Sequence, residues 1–274
     1  MNKSIIIIFL FSVLISCSKS EDSLINPDGI TDHEITSHSN NRVSSLLMTK
    51  SEYRDWVNND EFRNSERRKS LTNDLYKKYA DKYDFIFFIL NEPSIPENLS
   101  YYGMLVGVSN NIQGTGQEIY DYSLDYGSNG KLKAVMQLTG LEYLRNGPAL
   151  HELAHNWANF GIDTHYINGP GTGITSFNYK PHWGFTGGSS RGQLGGFDQS
   201  TLVDNGNNSY TVNSFGGFAN GGNGIPFNEL ELYMMGMIPS SQVSEFDVFT
   251  EITSFSSGSN KFNFTANSRK TYDA

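Results

Sequence analysis

Residues 146–161 read NGPALHELAHNWANFG, and the pentad HELAH at 151–155 inside this stretch decides the prediction of the fold. Asn146 can cap a helix, and Pro148 suits the first helical turn because a backbone N–H there would have no helical partner. Gly161 suits the end of the same helix. Apolar residues recur at helical spacing between these positions. The stretch therefore predicts one amphipathic helix with a flank that packs on a core.

The pentad also carries a pattern of metal-binding side chains. His151 and His155 are one helical turn apart, so their imidazoles project side by side and can bind one zinc ion at about 2 Å. Glu152 reaches a water on the metal rather than the metal itself. Zinc would lower the pKa of that water, and Glu152 would take its proton as general base and deliver it to a leaving amine. The alternative is a buried helix whose two His only satisfy local hydrogen bonds.

The pentad resembles the active-site helix of the zincin metallopeptidases. More of the chain is similar to a loosely characterised group of bacterial secreted zincin-like proteins, in which a His-Trp pair and a Leu-acid-x-Tyr-apolar-Met-Gly segment follow the motif. Here these are His182-Trp183 and LELYMMG at 230–236. The resemblance implies an α+β zincin-like catalytic domain over residues 46–274, with a small mixed sheet, the active-site helix and a loop-rich C-terminal half.

The third zinc ligand stays open at this point. A metzincin would have Gly and His where this chain has Ala158 and Gly161, and a thermolysin-like enzyme would supply a Glu from an Asn-Glu-x-x-Ser-Asp type helix that the chain lacks. His182 is the first choice, because glycines around it let a loop fold back over the cleft. His165 is the second, as a ligand or as a donor to an oxyanion. Either could instead be a loop His bonded to backbone.

Glu231 is a further candidate with three interpretations. Asn228 and Glu231 have the spacing of a capping box, so the structural interpretation is a helix start. The other two are a carboxylate ligand to the metal and an acceptor that supports a ligand His. We favour the structural or supporting role.

Other elements follow from periodicity. Spaced apolar residues among charges over 49–83 predict one or two amphipathic helices. Short apolar runs at 84–90, 101–108 and 132–138 predict buried strands, and 210–215 predicts a hairpin strand. The polar stretch 253–274 shows no obvious terminating element.

The N-terminus predicts a leader over residues 1–16. Lys3 precedes an apolar run at 5–15 that is too short to cross a bilayer as a stable helix. Residues 14–17 (LISC) resemble the lipobox of bacterial lipoproteins, in which the signal is cut before the Cys and the Cys carries the lipid. Cys17 is the one Cys of the chain, so no intrachain disulfide is expected. The alternative is an ordinary signal peptide that contains a Cys.

The residues after the lipobox predict a flexible tether over 17–45, rich in Ser, Asn and Asp, in which His33 and His38 are solvated. A lipid on Cys17 implies a protein anchored in the bacterial cell envelope, at the outer membrane or the cell surface.

Charge and composition limit the partners. The formal net charge of −9 excludes the basic surface that a nucleic-acid-binding protein would have. We expect a monomer with Zn²⁺ as cofactor, whose substrates are extracellular proteins or peptides. A second hypothesis is a non-catalytic surface binding module on a zincin scaffold, although such a module has no need of Glu152. A third is metal-dependent hydrolysis of a non-peptide bond.

Overall fold

The computed structural model describes residues 4–10, 33–38, 41–158, 160–162, 165–167, 174–178, 182–216, 222–258 and 261–273, and for 4–10, 165–167 and 174–178 it describes the backbone. The chain forms two compact units. The first unit comprises residues 1–111 and 118–147, and the second comprises 112–117 and 148–274.

The first unit combines strands with three helices in its described part. Its strands are β1 (Ser4–Leu10), β2 (Glu34–His38), β3 (Val43–Leu47), β4 (Phe85–Leu90), β5 (Gly103–Gly107), β6 (Ser109–Asn110), β7 (Tyr120–Asp121) and β8 (Ala134–Leu138). Its helices are α1 (Lys50–Asn58), α2 (Ser65–Lys78) and α3 (Glu142–Arg145).

Six of these strands form one mixed sheet in the order β2-β3-β1-β4-β8-β5. β4 and β8 pair in parallel, whereas the other neighbours are antiparallel. Every residue of β4 is buried, as a continuous apolar run predicts. Trp56 of α1 and Leu71 and Leu75 of α2 belong to the same core as alternate residues of β4. The structure confirms the predicted mixed sheet, the predicted helices within 49–83, and the predicted strands at 84–90, 101–108 and 132–138.

Two strands lie in the stretch predicted to be a tether. β2 and β3 pair with each other with Ile35 opposite Leu46, and both of these side chains are buried in the core of the first unit. His33 is not solvated as predicted, since its side chain is 11% exposed and contacts two carboxylates. Residues 17–32, with the predicted lipid anchor Cys17, lie outside the described residues. The extent of the tether stays a prediction.

β1 lies inside the predicted leader, where its backbone pairs with β3 and β4. Cleavage before Cys17 would take this strand out of the sheet. Among the residues that the structure describes, no helix is both long and apolar enough to cross a bilayer.

The second unit contains the helix of the HELAH pentad. Its described helices are α4 (Ala149–Ala154) and α5 (Glu229–Met234). Its described strands are β9 (His165–Ile167), β10 (Ile174–Asn178), β11 (Gly184–Gly188), β12 (Gly195–Asp198), β13 (Val203–Gly206), β14 (Ser209–Val212), β15 (Phe246–Gly258) and β16 (Lys261–Tyr272).

The second unit is built on a sheet, and the prediction of a loop-rich C-terminal half is wrong. Its order is β12-β11-β15-β16-β14-β13. Within the polar stretch 253–274, residues 253–258 and 261–272 belong to the long β15–β16 hairpin. Buried Phe249 of β15 and Phe264 of β16 contact each other with ring centroids 5.0 Å apart, and the many Ser, Thr and Asn of the hairpin make its sequence resemble a loop. The strand predicted at 210–215 is confirmed as β14.

The motif helix is shorter than the sequence predicts. α4 has 6 residues, and Asn146 does not cap it but ends α3. The N–H of Leu150 instead donates to Oδ1 of Asn223, 3.1 Å away. At the other end His155 donates its N–H to Glu152 at the tighter i−3 spacing, which is common where a helix finishes.

Candidate metal centre

α4 rests on an apolar cluster of the second unit. Ala154 and Ala158 are fully buried on the flank that the sequence predicts. They share this cluster with Trp183, next to His182, and with Leu230 of α5. One core therefore supports both the pentad and the segment that carries His182.

Three imidazoles come together at this place. Coordinating nitrogens of His151, His155 and His182 all lie within 4.8 Å of one another. The Nε2 atom of His151 is 3.0 Å from Nε2 of His155 and 3.4 Å from Nε2 of His182. His182, the preferred third ligand, thus lies beside the two His of the pentad.

The tautomer of His151 follows from its other nitrogen. Its Nδ1 lies 2.7 Å from the carbonyl oxygen of Gln193. A carbonyl only accepts, so Nδ1 is the protonated nitrogen and Nε2 keeps its lone pair. His151 is 2% exposed, so this hydrogen bond is shielded from water.

The three rings are neutral near pH 7. Burial lowers the pKa of His151 to about 4, although the bond to the Gln193 carbonyl acts the other way. Burial, and then the neighbouring His151, lower the pKa of His182 to about 3. Burial also lowers the pKa of His155 well below its usual value, with both neighbouring rings adding to the effect. Neutral imidazole is the form that binds a metal ion.

The spacing of the rings fits zinc. Zinc–nitrogen bonds of about 2.0–2.1 Å at tetrahedral angles put two ligand nitrogens about 3.3 Å apart. The Nε2 separations of His151 from His155 and from His182, 3.0 and 3.4 Å, bracket that value. Three His ligands are one of the donor sets that zinc sites use.

Glu152 is in the middle of α4 between the two His of the pentad. Its side chain belongs to the buried part of the second unit and is 9% exposed.

Glu231 forms the predicted capping box at the start of α5. The side chain of Asn228 accepts from the N–H of Glu231 at 2.9 Å, and Glu231 accepts from the N–H of Asn228 at 3.0 Å. The carboxylate also accepts N–H groups of Gln193 at 3.1 Å and Leu194 at 2.7 Å. Burial raises its pKa, and these backbone donors oppose the rise. Among described residues, the group that could hold a metal ion contains the three His and not Glu231.

Two candidates lie outside what the structure describes. The side chain of His165 is not among the described ones, although its backbone forms β9. Cys17 lies outside the described residues altogether. Their predicted roles stay predictions.

Sequence reasoning missed Gln193 and Asn223. Gln193 supplies its backbone carbonyl, which leaves no trace in residue type, and Asn223 is 73 positions from the N–H that it caps. The sequence offers one signal for Gln193, namely the glycines around it. Gly195 and Gly196 have φ of 99° and 82°, a region that other residues rarely adopt, so they mark a tight turn at that place.

Comparison of the chain with family models, with curated proteins and with solved structures finds no match.

Proposed function

We propose that this chain is a zinc-dependent peptidase of the zincin type that hydrolyses peptide bonds in extracellular proteins or peptides. The observation that carries the proposal is the convergence of His182 on the two imidazoles of the HELAH pentad. A pair of His one turn apart can arise in an ordinary helix. A third His from a distant segment, with its nitrogen at metal-ligand spacing, has no simple structural purpose.

Four residues of the chain have roles in the proposed reaction. His151, His155 and His182 would hold the ion, and Glu152 would accept a proton from the attacking water and pass it to the leaving amine. The bound ion would supply positive charge that polarises the scissile carbonyl and lowers the pKa of water. All three His belong to one chain, so the proposed enzyme needs no second subunit.

The test separates metal binding from catalysis. Zinc content and casein or gelatin turnover are measured for the wild type, for Glu152→Gln and for Glu142→Gln, an exposed carboxylate on α3. Glu152→Gln should keep its zinc and lose activity by about 10²–10⁴-fold, the usual contribution of general acid–base catalysis. Glu142→Gln should match the wild type in both.

Other outcomes identify the rival functions. Zinc bound without turnover by the wild type would favour the surface binding module. Turnover of esters or other non-peptide substrates, lost in Glu152→Gln while casein stays intact, would favour hydrolysis of a non-peptide bond. A wild type without zinc affinity would end the proposal.

We propose further that the protein is anchored in the cell envelope by a lipid on Cys17. Support comes from the LISC sequence at 14–17 and the absence of any other Cys. The intact mass of the exported protein and its release from membranes in Cys17→Ser test this. A mature chain that still begins before Cys17, with β1 in place, would contradict it.

A further inference from the structure

One peptide group lies between Glu231 and His151. Oε1 of Glu231 accepts the N–H of Leu194 at 2.7 Å, and the carbonyl oxygen of Gln193 accepts Nδ1–H of His151, also at 2.7 Å. The carbonyl of Gln193 and the N–H of Leu194 are the two ends of a single planar amide. The two hydrogen bonds are therefore coupled through it.

We propose that Glu231 is a positioning residue for His151 and acts through this amide, as a carboxylate–peptide–imidazole relay. The inference rests on the proposed function in one respect, namely that His151 binds zinc. It assigns to Glu231 a role beyond that of a helix cap, and a different role from that of a ligand or a direct acceptor.

The physical basis is polarisation. A carboxylate that accepts an amide N–H draws electron density toward the carbonyl end, which makes that oxygen a stronger acceptor. The stronger bond holds His151 in the Nδ1–H tautomer and raises the donor strength of its Nε2. Ligand His in metal sites generally donate their second nitrogen to a carboxylate or to a backbone carbonyl, with effects on affinity of about 10–100-fold. At His151 the direct partner is the backbone carbonyl of Gln193, and the carboxylate of Glu231 acts on that carbonyl through the shared amide.

The relay is well shielded. Glu231 is 0% exposed, Gln193 is 0% exposed and His151 is 2% exposed. Hydrogen bonds in a low-dielectric interior are electrostatically stronger and polarise one another more. Burial of a carboxylate is costly, so a residue with only a capping role would gain nothing from complete removal from water.

The turn that carries the amide also reaches the third His. Gly192 and Gly195 exchange backbone hydrogen bonds, at 2.9 and 3.3 Å, which close a tight turn around residues 193 and 194. The carbonyl of Leu194 accepts the N–H of Trp183 at 2.9 Å, directly after His182. Because Glu231 holds both N–H groups of this turn, it orders the supports of two proposed ligands at once.

A capping role alone does not account for these contacts. The cap requires only the N–H of Asn228, at 3.0 Å. The shortest backbone contact of the carboxylate is instead the one to Leu194, 37 positions away in sequence.

The experiment compares Glu231→Gln with Glu229→Gln on the full chain. Glu229 is a second carboxylate of the same helix, 8% exposed, which accepts from Ser189 rather than from the turn. The zinc dissociation constant is measured by competition with a chromophoric chelator. We expect an increase of about 10–100-fold for Glu231→Gln and no change for Glu229→Gln. Equal affinity in Glu231→Gln and wild type, or equal loss in both variants, would overturn the proposal.

A measurement on the native protein covers the case in which Glu231→Gln fails to fold. Nitrogen-15 spectra of the metal-free wild type should show His151 protonated at Nδ1 and a strongly deshielded amide proton on Leu194. A His151 protonated at Nε2, or an ordinary Leu194 amide, overturns the relay. If the wild type binds no zinc, the proposed function falls together with this inference. Wild-type zinc binding with unchanged affinity in Glu231→Gln overturns the inference alone.

Discussion

Nε2 of His151 on α4 lies 3.4 Å from Nε2 of His182, which is 31 positions later in the chain and just before β11. Since Nδ1 of His151 donates to the Gln193 carbonyl, its Nε2 faces His182 with a lone pair. A divalent cation placed between the two rings would accept this lone pair of His151.

The first prediction concerns the third ligand. His182→Asn should weaken zinc binding by more than the roughly 100-fold that can follow from loss of an outer hydrogen-bond partner. His165→Asn should leave zinc affinity unchanged, because the three His of the described cluster can hold the ion together. Chelator competition on both variants gives the answer. The reverse pattern would make His165 the ligand and His182 a loop residue.

The pentad and the candidate third His could be found from the sequence because their chemistry is in their side chains. His151, Glu152 and His182 each have a residue type that few other roles require at that spacing. Backbone groups have no such signature. The carbonyl of Gln193 contacts His151, yet any residue at that position would offer the same atom.

The second prediction concerns the space beside Glu231. A Cβ on Gly192 would overlap the Glu231 carboxylate. Gly192→Ala should therefore push the carboxylate away from the turn and destabilise the fold by about 1–3 kcal/mol, as overpacking of a core does. Thermal unfolding and zinc affinity measure the two effects. Gly224→Ala is the matched control, because a Cβ at that position meets nothing within 4 Å. Equal melting temperatures for the two variants would contradict the prediction.

The start of α4 provides a third prediction. Asn223→Ala removes the acceptor for the N–H of Leu150 and should cost about 1 kcal/mol of stability, in the range for loss of a helix cap. Asn223→Asp keeps an acceptor oxygen and should retain most of that stability. The measurement is the free energy of unfolding in urea. Loss of equal size in both variants would assign the effect to another contact of Asn223.

The boundaries of α4 and the C-terminal sheet show where sequence reasoning stops. Asn146 has the residue type of a cap, but the acceptor at the helix start comes from Asn223, which the sequence gives no reason to connect with Leu150. Likewise Phe249 and Phe264 lie on neighbouring strands whose many Ser, Thr and Asn resemble a loop. A short stretch of sequence gives the residue types. The cap of α4 and the contact between β15 and β16 depend instead on residues that are far apart in the chain.

The first unit has a titratable contact that its sequence does not indicate. His33 precedes β2 and lies between α1 and α2, with Nε2 2.9 Å from Glu52 and Nδ1 2.5 Å from Asp74. Arg67 is 3.7 Å from the same Glu52 oxygen, and Lys77 is 2.9 Å from the other oxygen of Asp74. Burial lowers the pKa of His33, but the two carboxylates together raise it above its usual value.

The last prediction follows from the sign of that shift. A His whose pKa is higher in the folded state stabilises the fold fully at pH values below the unfolded-state pKa of about 6.5, and the stabilisation is lost as pH rises through the folded-state pKa. His33→Gln should therefore lower stability most at pH 5–6, by about 1–3 kcal/mol as for hydrogen bonds to charged groups, and progressively less at higher pH. Thermal melts of both proteins across pH 5–9 measure the difference. His38→Gln is the control, since the side chain of His38 contacts the hydroxyl of Ser45 at 3.0 Å rather than two carboxylates. If the stability lost in His33→Gln relative to the wild type grows toward pH 9, His33 is neutral in the folded protein. The two carboxylates then do not hold its proton.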